Sequence, residues 1–207
     1  QEVLPAESGE LIQRDYGAEE SLAPCEKELR CEMEISMPTF LVGFKCPNAP
    51  EGQERMRNNI IGELACDVLL GDSSPLFARL YAEGLINGSF DSSYDLLPGV
   101  AYVGVGGDSK DPMQVVQAIL DEAQRLVRDG IDEDYFQRIL RANFGTALKS
   151  LNSFEAVAVS MAEGCFAGYD PYRFPEVYDS ITKQDLVDFI RDNMVAERMA
   201  VSIIDPK

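Results

Sequence analysis

Between Thr39 and Leu70 the hydrophobic pattern switches from strand spacing to helix spacing, and this switch restricts the folds open to the chain. Thr39-Phe-Leu-Val-Gly-Phe-Lys-Cys is rich in β-formers and bounded by Pro38 and Pro47, which predicts a sheet strand. Met56, Ile60, Ile61, Leu64, Ala65, Val68 and Leu69 then recur at helical spacing, with Gly71 as the stop. A short helix is expected from Pro75, because proline suits a first helical position. Leu76, Phe77 and Leu80 form its inner face and Gly84 ends it. The runs Ile86–Tyr94 and Val100–Val105 read as two strands joined by a Leu97-Pro-Gly turn. Gly104-Val-Gly-Gly reads as a strand ending in a glycine turn. A phosphate loop would need a following Lys-Ser or Lys-Thr, which is absent.

The remainder is mostly helical. Pro112 opens a helix with Met113, Val116, Ile119, Leu120, Ala123 and Leu126 on one face, closed by Gly130. Asp132 caps the next, which shows Tyr135, Phe136, Ile139, Leu140 and Leu148. Another is expected from about Ser153 to Cys165, followed by the aromatic-proline loop Tyr169-Asp-Pro-Tyr-Arg-Phe-Pro. Thr182-Lys-Gln-Asp resembles a capping box before Leu186, Val187, Phe189 and Ile190. Met199–Ile204 reads as a closing strand, and the alternating Glu28–Ile35 as a half-buried one. Strands and helices do not alternate regularly, which argues against a doubly wound nucleotide fold. The expected class is α+β: a mostly antiparallel or mixed sheet with helices packed on one face. Residues 1–26, with Pro5, Gly9, Gly17, Pro24 and no sustained period, read as a linker or N-terminal arm, and 27–207 as a single domain. A chain of 207 residues can bury a core without disulfide or metal staples.

Charge and residue types narrow the function. Lys plus Arg is 18 and Asp plus Glu is 36, a formal charge of −18. Such a chain repels phosphate backbones, so neither nucleic acid nor an anionic membrane is an expected partner. No apolar run approaches the roughly 18 residues that span a bilayer, and no signal-peptide pattern opens the chain. Histidine is absent, which excludes a Ser-His-Asp or Cys-His mechanism within this chain and any His-ligated zinc. The five cysteines include no Cys-x-x-Cys pair and read as reduced thiols of a cytoplasmic protein. The carboxylates Asp67, Asp72 and Asp91 are scattered, and no metal set emerges from them.

The stretch from Leu69 to Tyr94, LLGDSSPLFARLYAEGLINGSFDSSY, carries a more specific signal. It resembles the second-domain signature of the insulinase or pitrilysin-like zinc metallopeptidases. In that signature a long helix ends in glycine, then a loop, then Ser-x-Leu-Phe-x-x-Leu-Arg-Glu-x-Gly-Leu-Ala-Tyr leads into a strand. Here the loop is Gly71-Asp-Ser-Ser and the signature runs Ser74-Pro-Leu-Phe-Ala-Arg-Leu-Tyr-Ala-Glu-Gly-Leu-Ile-Asn. The order of elements from Thr39 to Asp205 fits the same pattern, including Ile181-Thr-Lys-Gln-Asp-Leu before the closing helix. The nearest resemblance is to an atypical bacterial branch.

The resemblance implies a metallopeptidase-half, processing-peptidase-like fold. It also implies a two-half enzyme that closes around a peptide, with zinc and His-x-x-Glu-His in the first half only. A chain without histidine then corresponds to the second, metal-free half, with no catalytic residue and no cofactor of its own, the zinc belonging to the catalytic partner half. That half would share the polypeptide or be a separate subunit, and a homodimer is the other pairing left open. The implied role is to wall the chamber and dock an extended peptide. The alternative is a stand-alone, non-proteolytic scaffold subunit that pairs with a catalytic homologue. Family second domains place an arginine and a tyrosine near the scissile bond; those positions here are Tyr81 and Asn87. Arg79 lies two residues early, turned by roughly 200° on a helix, so the charged clamp is not carried over. The implied substrate contacts are therefore Tyr81 and Asn87, with Arg79 beside them.

The chain alone is expected to hold no stoichiometric zinc and to turn over no peptide. Metal analysis after dialysis checks the first, and one zinc retained per chain would contradict it. Thermal unfolding of the isolated chain should show one cooperative transition.

Overall fold

A computed structural model of the protein describes residues 21–48, 50–97 and 99–207. Five strands, β1 (Glu28–Met33), β2 (Thr39–Cys46), β3 (Asp91–Leu97), β4 (Val100–Asp108) and β5 (Met199–Pro206), form one mixed sheet in the order β1-β5-β2-β4-β3. β1 runs parallel to β5 and every other pairing is antiparallel. Seven helices are present, numbered in chain order: α1 (Gln53–Leu70), α2 (Pro75–Ala82), α3 (Pro112–Asp129), α4 (Glu133–Ser150), α5 (Phe154–Ala167), α6 (Phe174–Ser180) and α7 (Lys183–Asn193), counted among the described residues. The architecture is the expected α+β class. No helix among the described residues is long and apolar enough to cross a membrane.

Alternation along the strands explains the layering. On β2, Phe40, Val42, Phe44 and Cys46 point inward and are buried, while Leu41 is 59% exposed on the opposite face. Ala101, Val103 and Val105 of β4, with Val201 and Ile203 of β5, extend the same inner surface. The helix α1 lies against it and also packs on α4 and α7. Being enclosed on several sides, α1 buries Ile61, Leu64, Ala65, Val68, Leu69 and Leu70, more than a single stripe. The helix α7 starts from a complete capping box, in which Thr182 and Asp185 each bond the other's backbone N–H.

Several expectations need correction. The strand β1 is not half-buried: all six residues are exposed, because among the described residues it is an edge strand paired only with β5. At its surface Arg30 donates to Glu28 at 2.6 Å and to Asp205 at 3.5 Å. The strand expected from Ile86 begins only at Asp91, because Asn87-Gly-Ser forms a turn first. The glycine run does not end β4 but lies within it. A Cβ at Gly106 would sit 2.7 Å from the Phe40 carbonyl oxygen, and one at Gly107 2.8 Å from the Phe90 Cα. These glycines let neighbouring backbone approach the strand closely. Met113 is exposed and Val115 takes its inward place, while Leu148 projects into solvent near the end of α4. The aromatic-proline segment is a short 3-10 turn followed by α6, whose Phe174 and Tyr178 pack on Phe144.

Of the expected 1–26 arm, residues 1–20 lie outside the described residues. Residues 21–26 form no helix or strand, and the Ser21 carbonyl accepts a hydrogen bond from Lys45 Nζ at 3.0 Å.

The closest fit between layers is at Gly62 of α1, where an added Cβ would overlap the Tyr94 ring of β3. Gly62→Ala is expected to cost about 1–3 kcal/mol, as overpacking does elsewhere, measured by urea unfolding. Combining it with Tyr94→Leu should give less than the sum of the two losses. Additive losses would mean that the ring is not the obstacle.

Candidate peptide-contact site

The helix α2 begins on Ser74, a buried residue whose hydroxyl accepts the Phe77 N–H at 3.0 Å, with Pro75 at the first helical position. Leu76 and Leu80 anchor it in the core. Gly84, at φ 68°, closes it: Gly84 N–H donates to the Tyr81 carbonyl at 3.0 Å and Leu85 N–H to the Leu80 carbonyl at 3.0 Å. Tyr81 therefore stands in the final turn. It is 57% exposed, and its ring stacks on Phe77 at 5.8 Å with only 12° between the planes. Phe77 in turn meets Phe90 edge-on at 5.9 Å, and Phe90 meets Phe40 of β2 at 6.4 Å. A ladder of aromatic rings thus ties the exposed phenol to the sheet.

Asn87 lies just past buried Ile86 and is half-buried. Its Oδ1 accepts the Ser89 N–H at 2.8 Å, an Asx turn, while its backbone carbonyl accepts the Phe90 N–H at 3.2 Å. The single Ser89 hydroxyl proton is shared between Asn87 Oδ1 at 2.6 Å and Asp108 Oδ2 at 3.2 Å. Asn87 Nδ2 reaches Asp108 Oδ2 at 3.5 Å, and Thr39 donates to Asp108 Oδ1 at 2.8 Å. Hydrogen bonds from Thr39, Asn87 and Ser89, Thr39 foremost, hold the Asp108 carboxyl below the usual carboxylate range. Asn87 thus has a local structural task as well as a polar face.

Tyr81 and Asn87 flank one short turn and are linked through Phe77 and Phe90, with no direct hydrogen bond between them among the described residues. Arg79 is exposed, lies on another flank of α2 and has no hydrogen bond or ion pair with a described residue. A phenol and an amide can hold a peptide backbone through neutral hydrogen bonds. They form no nucleophile–base pair. The partners Thr39, Ser89 and Asp108 do not stand out in the sequence; the Asn-Gly-Ser turn signature is the available clue.

The donor set does not fit a metal. Histidine is absent, and no group of three or more Cys, Asp or Glu gathers among the described residues. The thiols are no better suited to catalysis at depth. Burial pushes Cys46 up to about 11 and Cys66 well above the ordinary thiol value, which leaves both protonated.

Comparison with known proteins identifies the family. Residues 11–143 match the family described as Peptidase M16 inactive domain. The chain is 27% identical over 201 residues to the uncharacterized zinc protease YmfH of Bacillus subtilis (strain 168), covering 96% of this chain and 46% of that protein. It thus spans less than half the length of that curated relative. Among solved structures, one described as an M16-like peptidase from Alicyclobacillus acidocaldarius superposes with a TM-score of 0.86 at 23% identity, over 92% of this chain and 46% of that one. The peptidase M16 inactive domain from Pseudomonas fluorescens superposes with a TM-score of 0.75 at 10% identity, over 95% and 46%. These two establish the likeness of fold. With the family match covering more than half of its residues, the chain belongs to the Peptidase M16 inactive-domain family of the zinc proteases.

Proposed function

We propose that this domain is the metal-free half of a zinc peptidase and that it walls the peptide chamber and docks extended substrate. The observation that carries the reading is Tyr81, an exposed phenol fixed in place by its stack on Phe77. A hydroxyl held in advance loses little freedom when it meets a peptide carbonyl. The chemistry itself belongs to a catalytic half that holds the zinc, fused to this chain or assembled with it. Tyr81 and Asn87 contact the substrate backbone, and Arg79, on another flank of α2, does not replace the missing arginine.

Strand addition supplies the second element of docking, since it uses main-chain groups and tolerates many sequences. The edge strand β3 suits it, with exposed Asp91 and Ser93 on its outer face. Towards its far end the Leu96 carbonyl is already taken by Arg55 at 2.8 Å, so added pairing would stop before that residue.

One observation favours the scaffold alternative. The Asn87 side chain is engaged with Ser89 and Asp108, so part of its hydrogen-bonding capacity serves the fold. In the scaffold reading the domain pairs with a catalytic homologue and touches no substrate.

The two readings separate in the full-length or reconstituted enzyme. Tyr81→Phe is expected to lower kcat/KM by about 2- to 13-fold, the loss of one neutral hydrogen bond of about 0.5–1.5 kcal/mol. Zinc content and melting temperature should not change. Asn87→Ala should reduce turnover similarly and also let the Asp108 carboxyl titrate at higher pH, readable by NMR. Stability drawn from the depressed Asp108 is present above the unfolded carboxylate range and fades as pH falls through the folded value, so Asn87→Ala should weaken that acid dependence. Unchanged activity in both variants would leave the domain as scaffold.

A further inference from the structure

A groove of about 310 Å³ opens on the helical side of the molecule, and neither Tyr81 nor Asn87 lines it. Its floor is α1 between Met56 and Glu63. Its walls are the end of α4, the face of α5 from Ala156 to Glu163, and the segment from Tyr169 to Tyr178. Tyr169, Tyr172, Phe174 and Tyr178 supply aromatic surface, and the lining contains two carboxylates, Glu63 and Glu163, but no lysine or arginine among the described residues.

Two groups in this groove have unused hydrogen-bonding capacity. Glu63 Oε1 accepts from Asn59 Nδ2 at 2.8 Å, while Oε2 has no partner among the described residues. Solvent still reaches Glu63, yet protein crowds its carboxyl on the groove walls. That lost hydration raises it above its ordinary value, against the pull of the Asn59 hydrogen bond. Tyr178 is only 6% exposed, and its hydroxyl has no hydrogen-bond partner among the described residues. Solvent still reaches that oxygen, which leaves it able to donate to or accept from a group held in the groove.

The rim adds a second requirement. The helix α5 is largely apolar, with Glu155, Ser160 and Glu163 as its polar residues, yet only Gly164 is buried. Phe154 and Phe166 are 95% and 92% exposed, and Leu151 and Met161 stand exposed at the groove itself. An apolar helix of this kind is normally covered.

We propose that the groove binds the arginine side chain of a peptide segment whose neighbouring residues are apolar. Charge complementarity selects the cation, since every ionisable group in the lining is an acid or a phenol. A guanidinium offers five N–H donors in a planar fork. One edge can meet Glu63 Oε2 and the Tyr178 oxygen, and the plane can stack on a tyrosine face. The aliphatic stem then lies along Met56 and Ile60, and the flanking apolar side chains rest on Leu151 and Met161. An acidic segment would meet repulsion from Glu63 and Glu163. The site stands apart from Tyr81 and Asn87 and does not depend on their touching substrate.

The test is fluorescence anisotropy of the 207-residue chain with a labelled Ala-Leu-Arg-Leu-Ala peptide of blocked termini, at physiological salt. Binding should saturate, and replacing arginine with neutral citrulline should weaken it at least tenfold. Glu63→Gln should cause a similar loss and Tyr178→Phe a loss of several-fold. Asp121→Asn, an equal change of charge at an exposed position on α3, should leave binding unchanged. Equal affinity for the arginine and citrulline peptides overturns the proposal, as does no binding, or an equal loss in Glu63→Gln and Asp121→Asn. Met161→Arg, at a rim position 52% exposed, should occlude the groove without disturbing the core; binding that survives it overturns the proposal even where Tyr178→Phe folds poorly. Sedimentation covers the other occupant: a dimer of the chain that Met161→Arg disperses would make the groove a self-contact and also overturn it.

Discussion

The Tyr94 ring occupies the space that any side chain at position 62 would need, and that contact sets how deeply α1 sits on the sheet. With α1 so close, Leu64, Ala65, Val68 and Leu69 reach the inner face and are almost completely buried. The position of α1 then fixes the course of the chain beyond it. Gly71 leads into the loop that ends on buried Ser74, and Ser74 aims α2. Tyr81 at one end of α2 and the groove beside Glu63 at the middle of α1 both inherit their geometry from this packing.

The same packing explains how the domain holds its fold. Its core is aliphatic and aromatic, from Phe40, Val42 and Phe44 of β2 to Leu186 and Ile190 of α7, and requires no bound ion to complete it. Polar side chains near the core are mostly engaged: Tyr135 donates to the Val68 carbonyl at 3.1 Å, and Asn143 donates to Asp67 at 2.6 Å. Among the described residues, Gln53 Nε2 is the buried side-chain atom left without a hydrogen-bond partner.

Elements whose signals are local can be read directly from the sequence. The alternation of Thr39–Cys46, the helical spacing of Met56–Leu69, proline at 75 and 112, and the Thr182 capping box all have causes within a few residues. The misreadings share another cause. Whether β1 is half-buried depends on which strand lies beside it, and Gly104–Gly107 reads as a turn unless one knows that Phe40 and Phe90 press against it. The aromatic-proline segment looks like a loop in the sequence because its partner Phe144 lies about thirty residues earlier. The site is legible to a similar degree. Tyr81 and Asn87 stand out from the motif around them, but the Thr39–Asp108 bond spans 69 residues, and Glu63 and Tyr178, which line one groove, lie over a hundred residues apart. Such juxtapositions exist only once the sheet has assembled.

The order of the strands has a consequence for how the chain is made. β5 is the last strand in sequence but sits inside the sheet, between β1 and β2. Thr39 pairs with Ile204 and Glu28 with Val201, partners separated by most of the chain. During synthesis the inner face of β2 therefore waits for Val201 and Ile203 until all of the intervening polypeptide has left the ribosome. Non-local pairing of this kind slows folding, and an open strand edge invites association with other chains. A nascent chain with that gap unfilled has reason to meet a chaperone, and a product stopped short of Met199 would leave β1 without its β5 neighbour and the edge of β2 unpaired.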